Sequence, residues 1–267
     1  MLAAQPERSF LDLQVRLQVQ QPSVLQLEPI NLRVSISNPT SRPLLGIRST
    51  FCFECRGNAL EIYVVAPNGQ RKRYPELWGR RVTVIPRGHP HVLEPGQSTT
   101  GSVTLHLMLD EMFPDLGTYQ VIAVLHELDG AGVLESAPVA VQVREPEGLN
   151  SLAFKAIREF EEKGIEYFWG GGRNLATSQE FVLRYGDTRY GACGAHWLGK
   201  HFLSRRDYDK AIEYLSIASQ RPDFFEGEQA LKKLMEAHEA KGQTEQVAAV
   251  EKELRRRYPK STYFDSE

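Results

Sequence analysis

The chain has 267 residues, enough for two ordinary domains that each bury a core. Hydrophobic residues make up 41% and charged residues 25%, and the formal net charge is -2, a balance that offers no electrostatic footprint for nucleic acid or an anionic membrane. No apolar run approaches the roughly 20 residues needed to span a bilayer, so no transmembrane segment is expected.

The opening residues, Met1 to Pro6, lack the charged start and apolar centre of a signal peptide. Ala3-Ala4-Gln5 fits the edge left when an export signal is removed, and a cytoplasmic chain fits equally. Three cysteines, an odd number, do not demand an oxidising compartment.

From residue 11 to 143 apolar residues recur with period two. Leu11, Leu13, Val15, Leu17 and Val19 share one face, and Asp12, Gln14, Arg16 and Gln18 the other. The pattern returns at Ile30-Leu32-Val34-Ile36, Val103-Leu105-Leu107-Leu109, Tyr119-Val121-Ala123-Leu125 and Val139-Val141-Val143. Turn chemistry separates the runs at Asn38-Pro39, Pro67-Asn68-Gly69, Glu94-Pro95-Gly96-Gln97 and Gly130-Ala131-Gly132. Eight or nine short strands with one buried face and no helical pattern predict a β-sandwich. The run Asp115-Leu116-Gly117-Thr118-Tyr119-Gln120-Val121 resembles the Asp-x-Gly-x-Tyr segment of immunoglobulin-like domains, and a fibronectin-like relative is equally compatible. The resemblance implies that the Tyr119 hydroxyl bonds back to nearby backbone. It also puts Val121, with Val34 or Ile36 facing it, where that family carries a disulfide.

Arg144 to Leu149 combines proline, glycine and charge, and the period then changes to three and four, at Leu152, Ala156, Ile157 and Phe160 and then Ile165 and Phe168. The expected domains are therefore 1–147 and 148–267, and so short a linker predicts that they touch. Gly191 to Pro222 places Ala195, Leu198, Gly199, Phe202, Tyr208, Ala211, Leu215 and Ala218 at the packing positions of a helix–turn–helix unit. This stretch resembles a tetratricopeptide repeat, whose period is about 34 residues. Glu228 to Pro259 reads as the next unit, with Leu231, Leu234, Val247 and Leu254 at packing positions and Gly242 where Arg206 stood. Met235 replaces the usual small residue, which predicts looser packing there. A degenerate first unit would pair helices near 150–168 and 174–185. Tyr185, Arg221 and Tyr258 mark a spacing of 36 to 37 residues, and the Tyr-Pro-x-Ser ending also resembles repeats of bacterial envelope proteins. The fold class expected is thus two-domain β + α.

Candidate chemistry is sparse. Cys52-Phe53-Glu54-Cys55 has redox or zinc spacing, but a zinc site wants a second ligand pair, and in a strand thiols three apart face opposite ways. His89-Pro90-His91 could offer imidazoles to a metal, and alternation turns His106 and His126 away from the core. Trp169-Gly170-Gly171-Gly172-Arg173-Asn174 lacks the Gly-Lys-Ser/Thr ending of a phosphate loop. It reads as an inter-helix turn with Asn174 as a cap and Trp169 free to swing onto a partner. Cys193 and His196 lie three apart on one helix, which makes a thiol–imidazole pair conceivable, but no third orienting group accompanies them. Arg255-Arg256-Arg257 suits the end of a helix.

By resemblance, the ligand-facing positions are Cys193, His196, Lys200, Leu203 and Ser204, then Gln229, Lys232, Glu236, Glu239 and Ala240. Relatives that grip a terminal carboxylate carry several lysines, arginines and asparagines there. This chain has Lys200 and Lys232 but adds Glu236 and Glu239, a mixed set suited to an extended peptide or helix. The expectation is a non-enzymatic binding or scaffold protein that holds a protein or peptide partner on the concave face of the helices or at their junction with the immunoglobulin-like domain, with no cofactor or metal. Alternatives are a protease-inhibitor or carbohydrate-binding sandwich on a helical platform, with loops 86–96 and 110–118 carrying function, and a metal-dependent hydrolase using His89 and His91.

Overall fold

Among the described residues, alternation in the first half becomes two larger sheets with inward apolar faces and one two-stranded ladder, and the three-and-four period of the second half becomes six α-helices. The computed structural model describes residues 10–45, 60–74, 92–105, 112–127, 132–162, 175–259 and 261. The chain divides into two compact units, Met1–Glu145 and Pro146–Glu267.

The first unit contains strands β1 (Gln14–Val19), β2 (Ser23–Leu25), β3 (Ile30–Ser37), β4 (Leu44–Leu45), β5 (Leu60–Val65), β6 (Arg71–Arg73), β7 (Val92–Leu93), β8 (Ser98–Leu105), β9 (Gly117–His126), β10 (Val133–Glu135) and β11 (Val139–Arg144). One sheet has the order β1-β3-β8. The other runs β2-β11-β9-β5-β6, with β10 also on β9, and β4 pairs with β7 apart from both. All ladders are antiparallel except β2 on β11. Val15, Leu17, Leu32, Val34 and Ile36 of the first sheet share one core with Ile62, Val64, Tyr119, Val121, Val141 and Val143 of the second.

Leu11 departs from the expected strand. It is 65% exposed, because Phe10–Asp12 form a 3-10 turn whose three-residue period breaks the alternation before β1 begins. Leu107 and Leu109 lie outside the described residues. The turn at Asn38 is held by a fully buried side-chain amide. Its Nδ2 donates to the carbonyls of Arg42 and Leu93, each at 2.8 Å, and its Oδ1 accepts from the Thr40 amide at 2.9 Å. Every polar atom of this buried side chain is therefore paired. At the corner before β9, the Tyr119 hydroxyl donates to the Asp115 carbonyl at 2.8 Å and accepts from the Asp115 amide at 3.0 Å. Burial pushes this phenol above its usual pKa, with the Asp115 charge adding to the shift and the backbone bond opposing it.

The second unit comprises α1 (Gly148–Glu162), α2 (Leu175–Tyr185), α3 (Arg189–Ser204), α4 (Tyr208–Gln220), α5 (Gly227–Ala240) and α6 (Thr244–Arg257). Each of α3 to α6 packs on the next, and their short connections make neighbours antiparallel. Two turns repeat 36 residues apart. The Arg206 amide donates to Leu203 and that of Asp207 to Phe202, while the Gly242 amide donates to Glu239 and that of Gln243 to His238. Arg206 (φ 62°) and Gly242 (φ 69°) are both left-handed at the matching position, the conformation that ends a helix and reverses the chain. Arg206 holds it despite its Cβ.

Size complementarity sets how closely each hairpin closes. A Cβ on Gly199 would stand 2.4 Å from Leu215 Cγ, so only glycine lets α3 approach α4 this nearly. The corresponding residue of the next hairpin is the buried Met235, and α5 packs less closely on α6 than α3 does on α4.

Two stability tests follow from these contacts. Tyr119→Phe should lower the unfolding free energy of the first unit by about 0.5–1.5 kcal/mol in urea titrations, because it removes the bonds that tie the buried ring's hydroxyl to the exposed Asp115 backbone. Gly199→Met, which copies the next hairpin, should cost about 1–3 kcal/mol by overpacking and lower the thermal midpoint of the helical unit.

Candidate functional site

Helix ends position the side chains proposed for ligand contact. α3 starts at Thr188, whose Oγ1 accepts from the Gly191 amide at 2.9 Å and whose hydroxyl donates to the Tyr185 carbonyl at 2.7 Å. Asn150 of α1 adds a second anchor, its Oδ1 accepting from the Arg189 amide at 2.9 Å. α4 starts at Asp207, which accepts from the Lys210 amide at 3.3 Å. Glu226 and Gln243, which precede α5 and α6, do not cap them. Both side chains instead meet histidines: His196 Nδ1 donates to Glu226 Oε2 at 2.8 Å, and His238 Nδ1 lies 2.7 Å from Gln243 Oε1.

These bonds decide where the expected residues stand. His196 is only 2% exposed. It is packed edge-on against Phe224 with centroids 5.7 Å apart, and its Nε2 is buried with no hydrogen-bond partner. It joins α3 to the segment entering α5 rather than facing solvent. Cys193 is likewise buried. Lys200 and Ser204 of α3 are exposed, and Leu203 is half-buried. On α5, Gln229, Glu236, Glu239 and Ala240 are exposed. Lys232 is partly buried and donates to Glu228 Oε1 at 2.6 Å, the same oxygen that accepts from Ser261 Oγ at 2.7 Å. Glu236 accepts from Lys233 at 2.6 Å. The structure thus leaves Lys200, Leu203, Glu236 and Glu239 accessible on α3 and α5 and encloses His196. Trp169 lies outside the described residues, as do Gly170 to Asn174, Cys52, Cys55, His89, His91 and His106.

Residues not singled out in the sequence complete the surface of α3. Trp197 stacks on His201 one turn later, with centroids 5.5 Å apart and planes at 27°. Burial, reinforced by the Arg205 charge, holds His201 below the usual histidine pKa. The i, i+4 spacing was the available signal. His201 meets Phe202 edge-on, and Phe202 stacks on Tyr214 with centroids 5.6 Å apart, so one aromatic series links the exposed side of α3 to α4.

In the first unit His126 faces outward as alternation predicts. Its Nε2 lies 3.0 Å from Glu61 Oε2, beside Arg73 at 3.1 Å from the other oxygen. Burial pushes the Glu61 carboxyl up, but hydrogen bonds from Tyr63 and His126 and the Arg73 charge outweigh it and hold the pKa below its usual value. Among the described residues, no three histidine, cysteine or acidic side chains gather as a metal site, and no helix is long and apolar enough to cross a membrane.

No protein-family model matches the chain, and no curated protein matches it in sequence. Among solved structures, the sporulation control protein Spo0M from Bacillus subtilis is 16% identical over 56% of this chain and 56% of its own, with a TM-score of 0.32. The alkylpurine DNA glycosylase AlkC of Pseudomonas fluorescens is 13% identical over 50% of this chain and 30% of its own, with a TM-score of 0.31. The CARDB domain of the PF1109 protein from Pyrococcus furiosus is 14% identical over 50% of this chain and 88% of its own, with a TM-score of 0.27. The chain spans little more than half the length of Spo0M. At these scores the likenesses carry nothing about function.

The His196–Glu226 bond predicts a measurable coupling. Glu226→Ala should destabilise the helical unit by about 1–3 kcal/mol, since it leaves both ring nitrogens of a buried imidazole unpaired. Glu226→Gln, which keeps an acceptor, should retain most of that stability in the same denaturation experiment.

Proposed function

We propose that the chain is a non-enzymatic binding protein, and that a protein segment lies along α3 and α5 of a tetratricopeptide-like stack. The observation that carries this reading is the 36-residue congruence of the two hairpins, down to matching hydrogen bonds and left-handed residues in their turns. Helical hairpins repeated at a constant interval present equivalent positions side by side, which makes a continuous surface for a long ligand. Here the equivalent positions, 36 residues apart, are Lys200 and Glu236, Leu203 and Glu239, and Ser204 and Ala240. Their mixed character suits an extended or helical peptide carrying both charges and at least one apolar side chain.

For the first unit we favour an immunoglobulin-like sandwich. The Tyr119 corner supports it, as does the chain's passage from β1 in one sheet to β2, which pairs in parallel with β11 of the other.

Charge exchange on exposed residues tests the helical surface without disturbing the fold. Lys200→Glu combined with Glu239→Lys should reduce at least tenfold the recovery of proteins that the unaltered chain retains from a lysate of its source cells, with circular dichroism unchanged. Lys232 is unsuitable for such a test, because its ammonium holds Glu228. Equal recovery by the exchanged variant would remove these helices as the binding surface.

A further inference from the structure

β1 forms one border of its sheet and pairs only with β3 among the described residues. Its register reveals which backbone groups remain unused. The Gln20 amide donates to the Asn31 carbonyl at 3.0 Å, so the mutually bonded pairs that follow are Gln18 with Arg33, Arg16 with Ser35 and Gln14 with Ser37. Between them, Val15 and Leu17 direct N–H and C=O away from β3. Their side chains are 6% and 7% exposed and sit in the core, so this outward row belongs to a firmly anchored strand.

A groove of about 470 Å³ runs beside that row. One wall is made by every residue from Leu13 to Gln18, and the other by Leu134, Glu135, Ala137 and Val139. A cleft over one face of a strand would touch alternate residues only; contact with consecutive ones places it against the strand's edge. Among the described residues, about 17 Å of edge is therefore unpaired beside a partly apolar wall, from Leu134 and Val139.

We propose that this groove receives an extended peptide from a partner protein as an added strand on β1, with an acidic side chain beside Arg16. Backbone pairing supplies the attachment, through the outward groups of Val15 and Leu17. Charge selects the peptide. Arg16 is exposed, and its described hydrogen bond goes to neutral Gln14 Oε1 at 3.0 Å, whereas Glu135 across the groove is already engaged by Arg71 at 2.7 Å. Among the described residues, the groove therefore offers a cation without a counter-charge. A second copy of the chain is the poorer occupant, because pairing β1 with β1 brings two Arg16 side chains opposite or diagonal to one another.

Because backbone pairing tolerates sequence, a synthetic probe suffices. An eight-residue capped peptide of alternating valine and threonine with one central aspartate is titrated into the full-length, nitrogen-15-labelled chain, and amide exchange is followed by NMR. At saturation the Val15 and Leu17 amides should slow at least tenfold, while Arg16 and Gln18, already bonded to β3, stay unchanged. Replacing the aspartate by lysine should weaken binding about three- to fivefold, as expected for one exposed ion pair, and Arg16→Glu should reverse that preference. N-methylation of alternate peptide nitrogens, or Leu134→Lys in the chain, should abolish binding. Unchanged exchange at millimolar peptide, or indifference to N-methylation, would overturn the proposal. So would a β1-dependent dimer in sedimentation without peptide, which would assign the edge to a second copy.

Discussion

The end of every helix leaves carbonyls that its own backbone cannot satisfy, and in the second unit an arginine from farther along the chain supplies the missing donors. Arg221, at the close of α4, reaches back to the Asp187 carbonyl at 2.7 Å, just beyond α2. Arg257, the last residue of α6 and 36 positions later, donates to the carbonyls of Ser219 at 2.5 Å and Arg221 at 2.8 Å, at the end of α4. The Arg257 guanidinium puts a fixed positive charge at the negative end of the α4 dipole, worth about 0.3–1 kcal/mol in ordinary exposed settings and more where water is partly excluded. Apolar contacts draw hairpins together without fixing their register. These directed bonds tie the end of α6 to the end of α4, and the end of α4 to the turn before α3.

The same demand for paired backbone groups governs the first unit by other means. Tyr119 closes the corner before β9 with its hydroxyl, and Asn38 closes a loop with its amide. In each case one side chain both donates and accepts, so a turn that cannot form a ladder still enters the core with its polar atoms satisfied. β9 shows what this permits. Tyr119, Val121, Ala123 and Leu125 are fully buried, and the strand carries β5 on one side and β10 and β11 on the other.

Much of this was legible in the residues, for stated reasons. Long strands declare themselves by alternation, and β3, β9 and β11 fall where it predicts; strands of two or three residues, such as β4, β7 and β10, are too short to show a period, and β10 forms on the edge that the longer β9 offers. The Arg206 and Gly242 correspondence was readable because a reversal after a helix needs one left-handed residue. His196 was misjudged for a definite reason. Repeat position says which way a side chain leaves its helix but not what the intervening loop brings to it, and here residues 224–226 cover it. Arg257 was readable as a cation at a helix end, but not as serving a helix 36 residues earlier. The groove beside β1 leaves no local trace, since which strand borders a sheet is settled only by tertiary pairing.

The contrast between Gly199 and Met235 bears on how the helical unit fluctuates. Close backbone approach in one hairpin means many short-range attractions are lost at once when it opens, whereas a flexible thioether in the other keeps contact over a wider range of separations. The pair formed by α5 and α6 should therefore be the more compliant element, with α3 and α4 as the stiffer support. A helical unit built this way can yield at one end without loosening the other.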